Sequence, residues 1–154
     1  MRQIKVNAIK NGTVIDHIPA GKVLRVIDLL TITGKNVVMM GMNLSSGKIG
    51  KKDILKIENR ALSDDEVNSV ALIAPQASLI IIKDFEVIKK EALQIPTYIE
   101  KNVVCPNVKC ISNEEEISSK FKINVDKEPI ARCVYCEKKY KLTFGLQPSE
   151  SKLL

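Results

Sequence analysis

The chain has 154 residues, 45% of them hydrophobic and 27% charged, with a formal charge of +6. This is an ordinary globular composition with room for one moderate domain and a small one, and no apolar run approaches the roughly twenty residues of a membrane-spanning helix. Four thiolates holding one divalent ion would lower the charge to about +4, which admits anionic ligands without demanding nucleic acid, and aromatics at 4% with no Trp disfavour a base-stacking platform.

At the N-terminus, Ile4, Val6 and Ala8 alternate with Lys5, Asn7 and Ile9, a strand pattern that turns the first set toward the core and the second away from it. Asn11 and Gly12 then predict a turn. Residues 20–31 predict a helix, with Val23, Val26, Ile27 and Leu30 on one stripe and Lys22, Arg25 and Asp28 opposite. Two apolar runs, 36–42 (NVVMMGM) and 53–58 (DILKIE), predict a hairpin with a long loop, in which Lys56 faces away from Leu55 and Ile57. A second helix is announced by Ser63 and Glu66 as a capping box and by Leu62 against Val67 as a staple. It runs along Val67, Val70, Ala71 and Ala74 until Pro75 stops it. Residues 78–82 (SLIII) and 85–88 (FEVI) are strand material.

The resulting order, strand, helix, strand, strand, helix, strand, is the ferredoxin-like βαββαβ arrangement of an α+β fold. Two helices cover one sheet face and leave the other free. Residues 89–100 have no periodicity and contain Pro96, so the boundary falls there, between a domain at 1–95 and another at 96–154. In the second, 121–125 and 140–144 look like strands, and the tail after Pro148 is expected to be loosely held.

All four cysteines lie in that second domain as two pairs, Cys105-x4-Cys110 and Cys133-x2-Cys136. Two knuckles presenting two sulfurs each suit a tetrahedral ion with no open position, so one structural Zn2+ is expected, mononuclear iron being the alternative on the same ligands. About fifty residues bury too little apolar surface to fold securely alone, so the metal is expected to supply the folding energy of a small β-rich unit, zinc-ribbon or rubredoxin-like. Disulfides are disfavoured because MRQIKVNAIK has no apolar signal-peptide core, which points to a reducing cytoplasm. A redox Cys133-x2-Cys136 would leave the first pair unexplained.

Catalytic signatures are missing from the sequence. His17, the single histidine, follows Asp16 with no nucleophile nearby to activate and reads as a loop histidine; no glycine-rich phosphate loop or carboxylate pair stands out. What remains is binding: His17, Lys56, Lys89 and Lys90 with Asp16 form a candidate set for a polyanion, weighed against ordinary solvated lysines. A zinc-ribbon nucleic-acid binder and a small redox protein are the alternatives from other classes.

Residues 5–21 (KVNAIKNGTVIDHIPAG), 41–59 (GMNLSSGKIGKKDILKIEN), 74–77 (APQA), Cys105-Pro106-Asn107 with Cys110-Ile111-Ser112, and 133–137 (CVYCE) together resemble the regulatory chain of aspartate carbamoyltransferase. The resemblance spans essentially the whole chain, in order. It implies a non-catalytic subunit in pyrimidine biosynthesis with an N-terminal allosteric domain that binds CTP, ATP and UTP and pairs with a second regulatory chain. It also implies a C-terminal zinc domain that docks on the catalytic chain. Position by position, the implied effector site is Asn7, Ala8, Ile9, Val14, Asp16, His17, Lys56, Ile80, Ile82, Phe85, Val87 and Lys90. Base contacts fall to Ala8, Ile9, Phe85 and Val87, ribose contacts to Val14, Asp16 and Lys56, and triphosphate contacts to His17 and Lys90. Asn7 stands where the best-known members have an acid, Ile80 where they have an amide and Phe85 where they have a tyrosine. The implied metal ligands are Cys105, Cys110, Cys133 and Cys136, with no membrane or nucleic-acid partner.

Overall fold

The computed structural model describes residues 8–100, 103–115, 117–126 and 129–141. Two compact units emerge, one made of Met1–Ser63 with Ala74–Gln94 and the other of Asp64–Ile73 with Ile95–Leu154.

In the first unit, β1 (Gly12–Pro19), β2 (Val38–Ser46), β3 (Gly50–Glu58), β4 (Ser78–Lys83) and β5 (Glu86–Ala92) form one antiparallel sheet in the order β2-β3-β1-β4-β5. Its first four strands have the ferredoxin-like order expected from the sequence, and β5 adds an edge. Helix α1 (Val23–Leu29) packs on β3 and buries Val23 and Val26. Along β3, fully buried Asp53, Leu55 and Ile57 alternate with half-buried Lys52, Ile54 and Lys56, so the two faces of the sheet separate cleanly. Leu55 pairs with Ile15 and Ile15 with Leu79, which places a continuous apolar row on the buried face.

Several local expectations change. The chain bends at Lys10 and Asn11, and Gly12 opens β1, a strand the sequence reading did not assign. Gly12 has φ +145°, and a Cβ there would sit 2.1 Å from the Ile57 carbonyl oxygen, so the close approach of β1 to β3 requires glycine. The strand expected at 4–8 lies outside the described residues except for Ala8, which is exposed while Ile9 is buried; the apolar side chain goes inside, the reverse of the predicted parity. The β2–β3 hairpin closes over residues 47–49, tighter than the long loop predicted. β5 continues through Lys89 to Ala92 because main-chain pairing to β4 sustains an edge strand whose side chains are all exposed and therefore carry no hydrophobic period.

The second unit contains α2 (Asp64–Ile73), β6 (Tyr98–Ile99), α3 (Ile111–Glu114), β7 (Phe121–Val125), β8 (Pro129–Cys133) and β9 (Lys139–Lys141), with sheet order β6-β7-β8-β9. Helix α2 begins directly after Ser63, with Asp64, Asp65 and Glu66 in its first turn, where carboxylates favour the helix dipole. The sequence assigned this helix to the first domain; in the structure Asp64–Ile73 groups with the second unit, where Leu72 shares a core with Ile99, Val103, Phe121, Ile123 and Ala131. Phe121 meets the Tyr140 ring edge-to-face at 6.3 Å. Residues 142–144 of the expected last strand, and the tail after Pro148, lie outside the described residues. Among the described residues, no helix is long and apolar enough to cross a membrane.

Candidate metal centre and ligand face

The four cysteine sulfurs lie within 4.8 Å of one another. Cys105 and Cys136 are separated by 3.7 Å and Cys110 and Cys133 by 3.7 Å, close to the edge of about 3.8 Å for a tetrahedron with ~2.3 Å zinc–sulfur bonds. Those separations are far longer than a disulfide of about 2.05 Å, and all four cysteines are free. Donor type and spacing therefore both fit one structural zinc ion.

Backbone geometry aims the sulfurs. Cys110 sits at the N-cap of α3 and donates its N–H to the Asn107 carbonyl at 2.9 Å. In the second knuckle Glu137, at φ +63°, donates its N–H to the Cys133 carbonyl at 2.9 Å, closing the turn. Asn113 Nδ2 donates to the carbonyls of Cys105 and Asn107, so the first knuckle is tied at both ends. Burial pushes the Cys105 thiol up to about 12 and raises Cys133 as well. Burial acts upward on Cys136 too, but the Lys138 N–H, the Asn107 side chain and Cys105 bring it down to about 7. Sulfurs buried in this way accept negative charge when a divalent cation sits among them.

On the free face of the first sheet, four expected residues stand in a single row. Lys56 pairs with Val14, Val14 with Ile80, and Ile80 with Lys90. Directly opposed residues in an antiparallel ladder share a face, and this is the face away from Leu55, Ile15 and Leu79. One row on, Gly12 pairs with Ile82 and Ile82 with Val87. One row back, Asp16 pairs with Ser78. The surface is thus graded along the strands, apolar at one end and ionic at the other, over about 14 Å for four residues of β1.

The apolar end is gathered by a two-residue turn. Asp84 and Phe85 connect β4 to β5 with φ of +51° and +65°, the signs of a type I′ hairpin. The Phe85 N–H donates to the Lys10 carbonyl at 2.9 Å and the Asp84 N–H to Asn11 Oδ1 at 3.0 Å. Exposed Phe85 is thereby held beside the segment carrying Ala8 and Ile9. Asn7 lies outside the described residues.

At the ionic end, β1 carries a bulge between Ile15 and Ile18, opposite β3. His17 takes φ +59° there and donates its N–H to Asp16 Oδ1 at 2.7 Å. His17 is therefore a residue of a bulged strand and not of a loop, and the extra residue re-aims two polar side chains beside each other. Lys52 Nζ lies 2.8 Å from Asp16 Oδ1. Burial works upward on the Asp16 carboxyl, yet Lys52 and the His17 N–H hold it below the usual carboxylate range. Burial, reinforced by Lys52, Lys48 and Lys90 against the opposing charge of Asp16, holds the His17 imidazole below its ordinary value. Its Nδ1 is 3.5 Å from Ser78 Oγ. Burial also lowers Lys56, partly offset by Asp16.

Lys52 and Lys48 are members of this ionic cluster that the sequence reading missed. Lys52 has the same strand parity as Lys56, a signal that was available. Lys89, by contrast, does not converge with Lys90: it pairs with Ile81 on the opposite face and its Nζ lies 3.4 Å from Glu91.

Comparisons with known proteins place both units in one family. Residues 4–94 match the profile of the aspartate carbamoyltransferase regulatory chain, allosteric domain, and residues 97–143 that of the aspartate carbamoyltransferase regulatory chain, metal binding domain. Among similar proteins, the aspartate carbamoyltransferase regulatory chain of Pyrococcus abyssi is 47% identical over 142 residues, covering 90% of this chain and 93% of the relative. That of Thermococcus onnurineus is 48% identical over 141 residues, with 90% and 93% covered. The one from Aeromonas hydrophila is 42% identical over 140 residues, with 90% and 91% covered. These matches favour a regulatory chain over a nucleic-acid-binding zinc ribbon, and the relatives are named as the regulatory chain, not the catalytic one.

Proposed function

The chain belongs to the family of aspartate carbamoyltransferase regulatory chains, and from that premise we propose that the free face of its first sheet binds nucleoside triphosphate effectors. The observation that carries this reading is the row Lys56–Val14–Ile80–Lys90 with Asp16, His17, Lys52 and Lys48 clustered at its ionic end. Lysines and an imidazole suit phosphate oxygens, and a carboxylate suits ribose hydroxyls. The apolar end, with Ala8, Ile82, Phe85 and Val87, takes the base; Ile9, whose side chain is buried, offers it main-chain groups alone. CTP, ATP and UTP share the triphosphate, so a difference in their effects arises at this apolar end, as a difference in affinity for two quaternary states.

The residues divide the labour. Lys90 and His17 hold the triphosphate, and Lys52 keeps Asp16 ionised and ready to accept from a hydroxyl. The bulge fixes His17 and Asp16 side by side before a ligand arrives. Cys105, Cys110, Cys133 and Cys136 hold the zinc ion, whose chemistry is that of a structural cross-link.

The second unit docks on the catalytic chain of the same enzyme, in a cytoplasmic assembly. Two features support a docking role. Val108 and Ile111 are exposed on the knuckle segment 107–113, and Lys122, Arg132 and Lys139 form a cationic row across β7, β8 and β9. Pairing with a second regulatory chain is supported by exposed Met40, Met42 and Ile88 on the outer strands of the first sheet. Calorimetric titration of the purified chain with ATP, CTP and UTP tests the effector site: saturable heats with all three are expected, and none with any of them would reject it.

A further inference from the structure

A buried hydroxyl relay connects the first cysteine knuckle to itself. The Cys105 N–H donates to Ser119 Oγ at 3.2 Å, Ser119 Oγ donates to Ser112 Oγ at 3.4 Å, and Ser112 Oγ lies 3.2 Å from Cys110 Sγ. Ser112 is 0% exposed and Ser119 1%. A backbone N–H can only donate, so Ser119 accepts from Cys105 and spends its hydrogen on Ser112. A thiolate can only accept, so once Cys110 is a ligand the contact to Ser112 has one direction, from oxygen to sulfur.

The other three sulfurs are served differently. Backbone N–H groups of Tyr135 and Cys136 reach Cys133, the Lys138 N–H and the Asn107 side chain reach Cys136, and Cys105 has the Tyr140 hydroxyl at 3.7 Å beside the Asn107 N–H. Ser112 is thus the hydroxyl donor that addresses Cys110. A hydrogen bond to a ligating thiolate withdraws charge from sulfur and fixes its lone-pair direction, and outer partners of this kind usually matter to metal affinity.

We propose that Ser112, held by Ser119, is a positioning residue for the metal: it orients the Cys110 thiolate and sets how strongly that sulfur donates. The proposal rests on the four cysteines being the ligands of one ion. Its geometric consequence is that a displacement of the Cys105 backbone reaches the Cys110 sulfur through two hydroxyls, so the two ligands of this knuckle tighten or loosen together.

Full-length chain loaded with Co2+ reports on the sulfurs directly through its thiolate-to-cobalt charge-transfer bands. Ser112→Ala should shift these bands to lower energy, because a thiolate without its donor gives up charge more easily, and should weaken Co2+ affinity about tenfold in chelator competition. Ser119→Ala should move both in the same direction by less, and it stands in as the test where Ser112→Ala does not fold. Ser118→Ala, at an exposed neighbouring position, should leave both unchanged. Bands present in the native chain and unmoved by Ser112→Ala, or by Ser119→Ala where that is the folded variant, would overturn the relay alone. A native chain without thiolate-to-cobalt bands would overturn the metal reading, and the relay with it.

Discussion

Lys56 on β3 and Lys90 on β5 stand in one row of the first sheet, linked across two intervening strands by Val14 and Ile80. They face one side of a sheet whose other side is packed with Leu55, Ile15 and Leu79. In the proposed effector site these two cations, at the ends of one row, bracket the bound polyanion. Lys90→Ala is expected to weaken ATP, CTP and UTP binding by a similar factor, about tenfold or more. Calorimetry on the variant measures it, and weakening confined to one base would show that Lys90 contacts the base instead.

The same surface sets a pH dependence through His17. Its imidazole is held below the ordinary value by burial and by Lys52, Lys48 and Lys90, so the free chain carries it neutral at pH 7. A triphosphate neutralises those lysines and favours the protonated ring, which raises the pKa in the complex. Binding then takes up a proton, and affinity increases as the pH falls from 8 toward 6. Titrations in buffers of different ionisation enthalpy count that proton; His17→Gln should abolish the uptake.

Asp53 has no exposed surface, and its carboxylate accepts three backbone N–H groups: Gly21 at 2.8 Å, Val23 at 3.1 Å and Asn43 at 2.9 Å. Helix α1 lacks a side chain at its own N-cap position that does this work, since Lys22 makes no capping bond. Asn43 lies in a second bulge, between Gly41 and Leu44, which releases its N–H from the ladder. Asp53→Asn keeps the shape but offers an amide hydrogen where a donor already points. A loss of about 3 kcal/mol in unfolding free energy is expected, read from denaturant midpoints; an unchanged midpoint would show that the carboxylate is dispensable.

Stripping the metal should act on one unit first. The core of the second unit includes Cys105, Cys110 and Cys133 beside Phe121, Ile123 and Ala131, with Cys136 packed against it, so removing the ion takes the cross-link between the two knuckles out of the core itself. Chelation is expected to collapse the chemical-shift dispersion of β7 and β8 and to prevent association with the catalytic chain, both restored by zinc. Undiminished assembly of metal-stripped chain would defeat the docking role.

The ligand set of the metal was legible because spacing alone brings four cysteines to two tight turns. Strand β7 was legible because Phe121, Ile123 and Val125 alternate with polar residues. Strand β8 was not, since Pro129, Arg132 and Cys133 give no period and its ladder is set by pairing to β7. The register row of the ligand face became visible only once β1 was placed at Gly12–Pro19. A bulge changes parity without changing composition, which is why His17 read as a loop residue; Lys52 was legible from its parity with Lys56 along the regular strand β3. Lys89 failed for a simpler reason: adjacent residues on a strand point to opposite faces.

Helix α2 leaves the first unit after Ser63 and the chain returns to it at Ala74, so the backbone crosses between the units three times. Truncation after Gln94 would not yield a tidy half-protein: the fragment would carry Leu72, 6% exposed and lodged among Ile99, Val103 and Phe121 in the intact chain, with those neighbours deleted. Such a fragment would display a sticky apolar helix, and a protease nick near residue 94 would leave the two products clinging together instead of drifting apart.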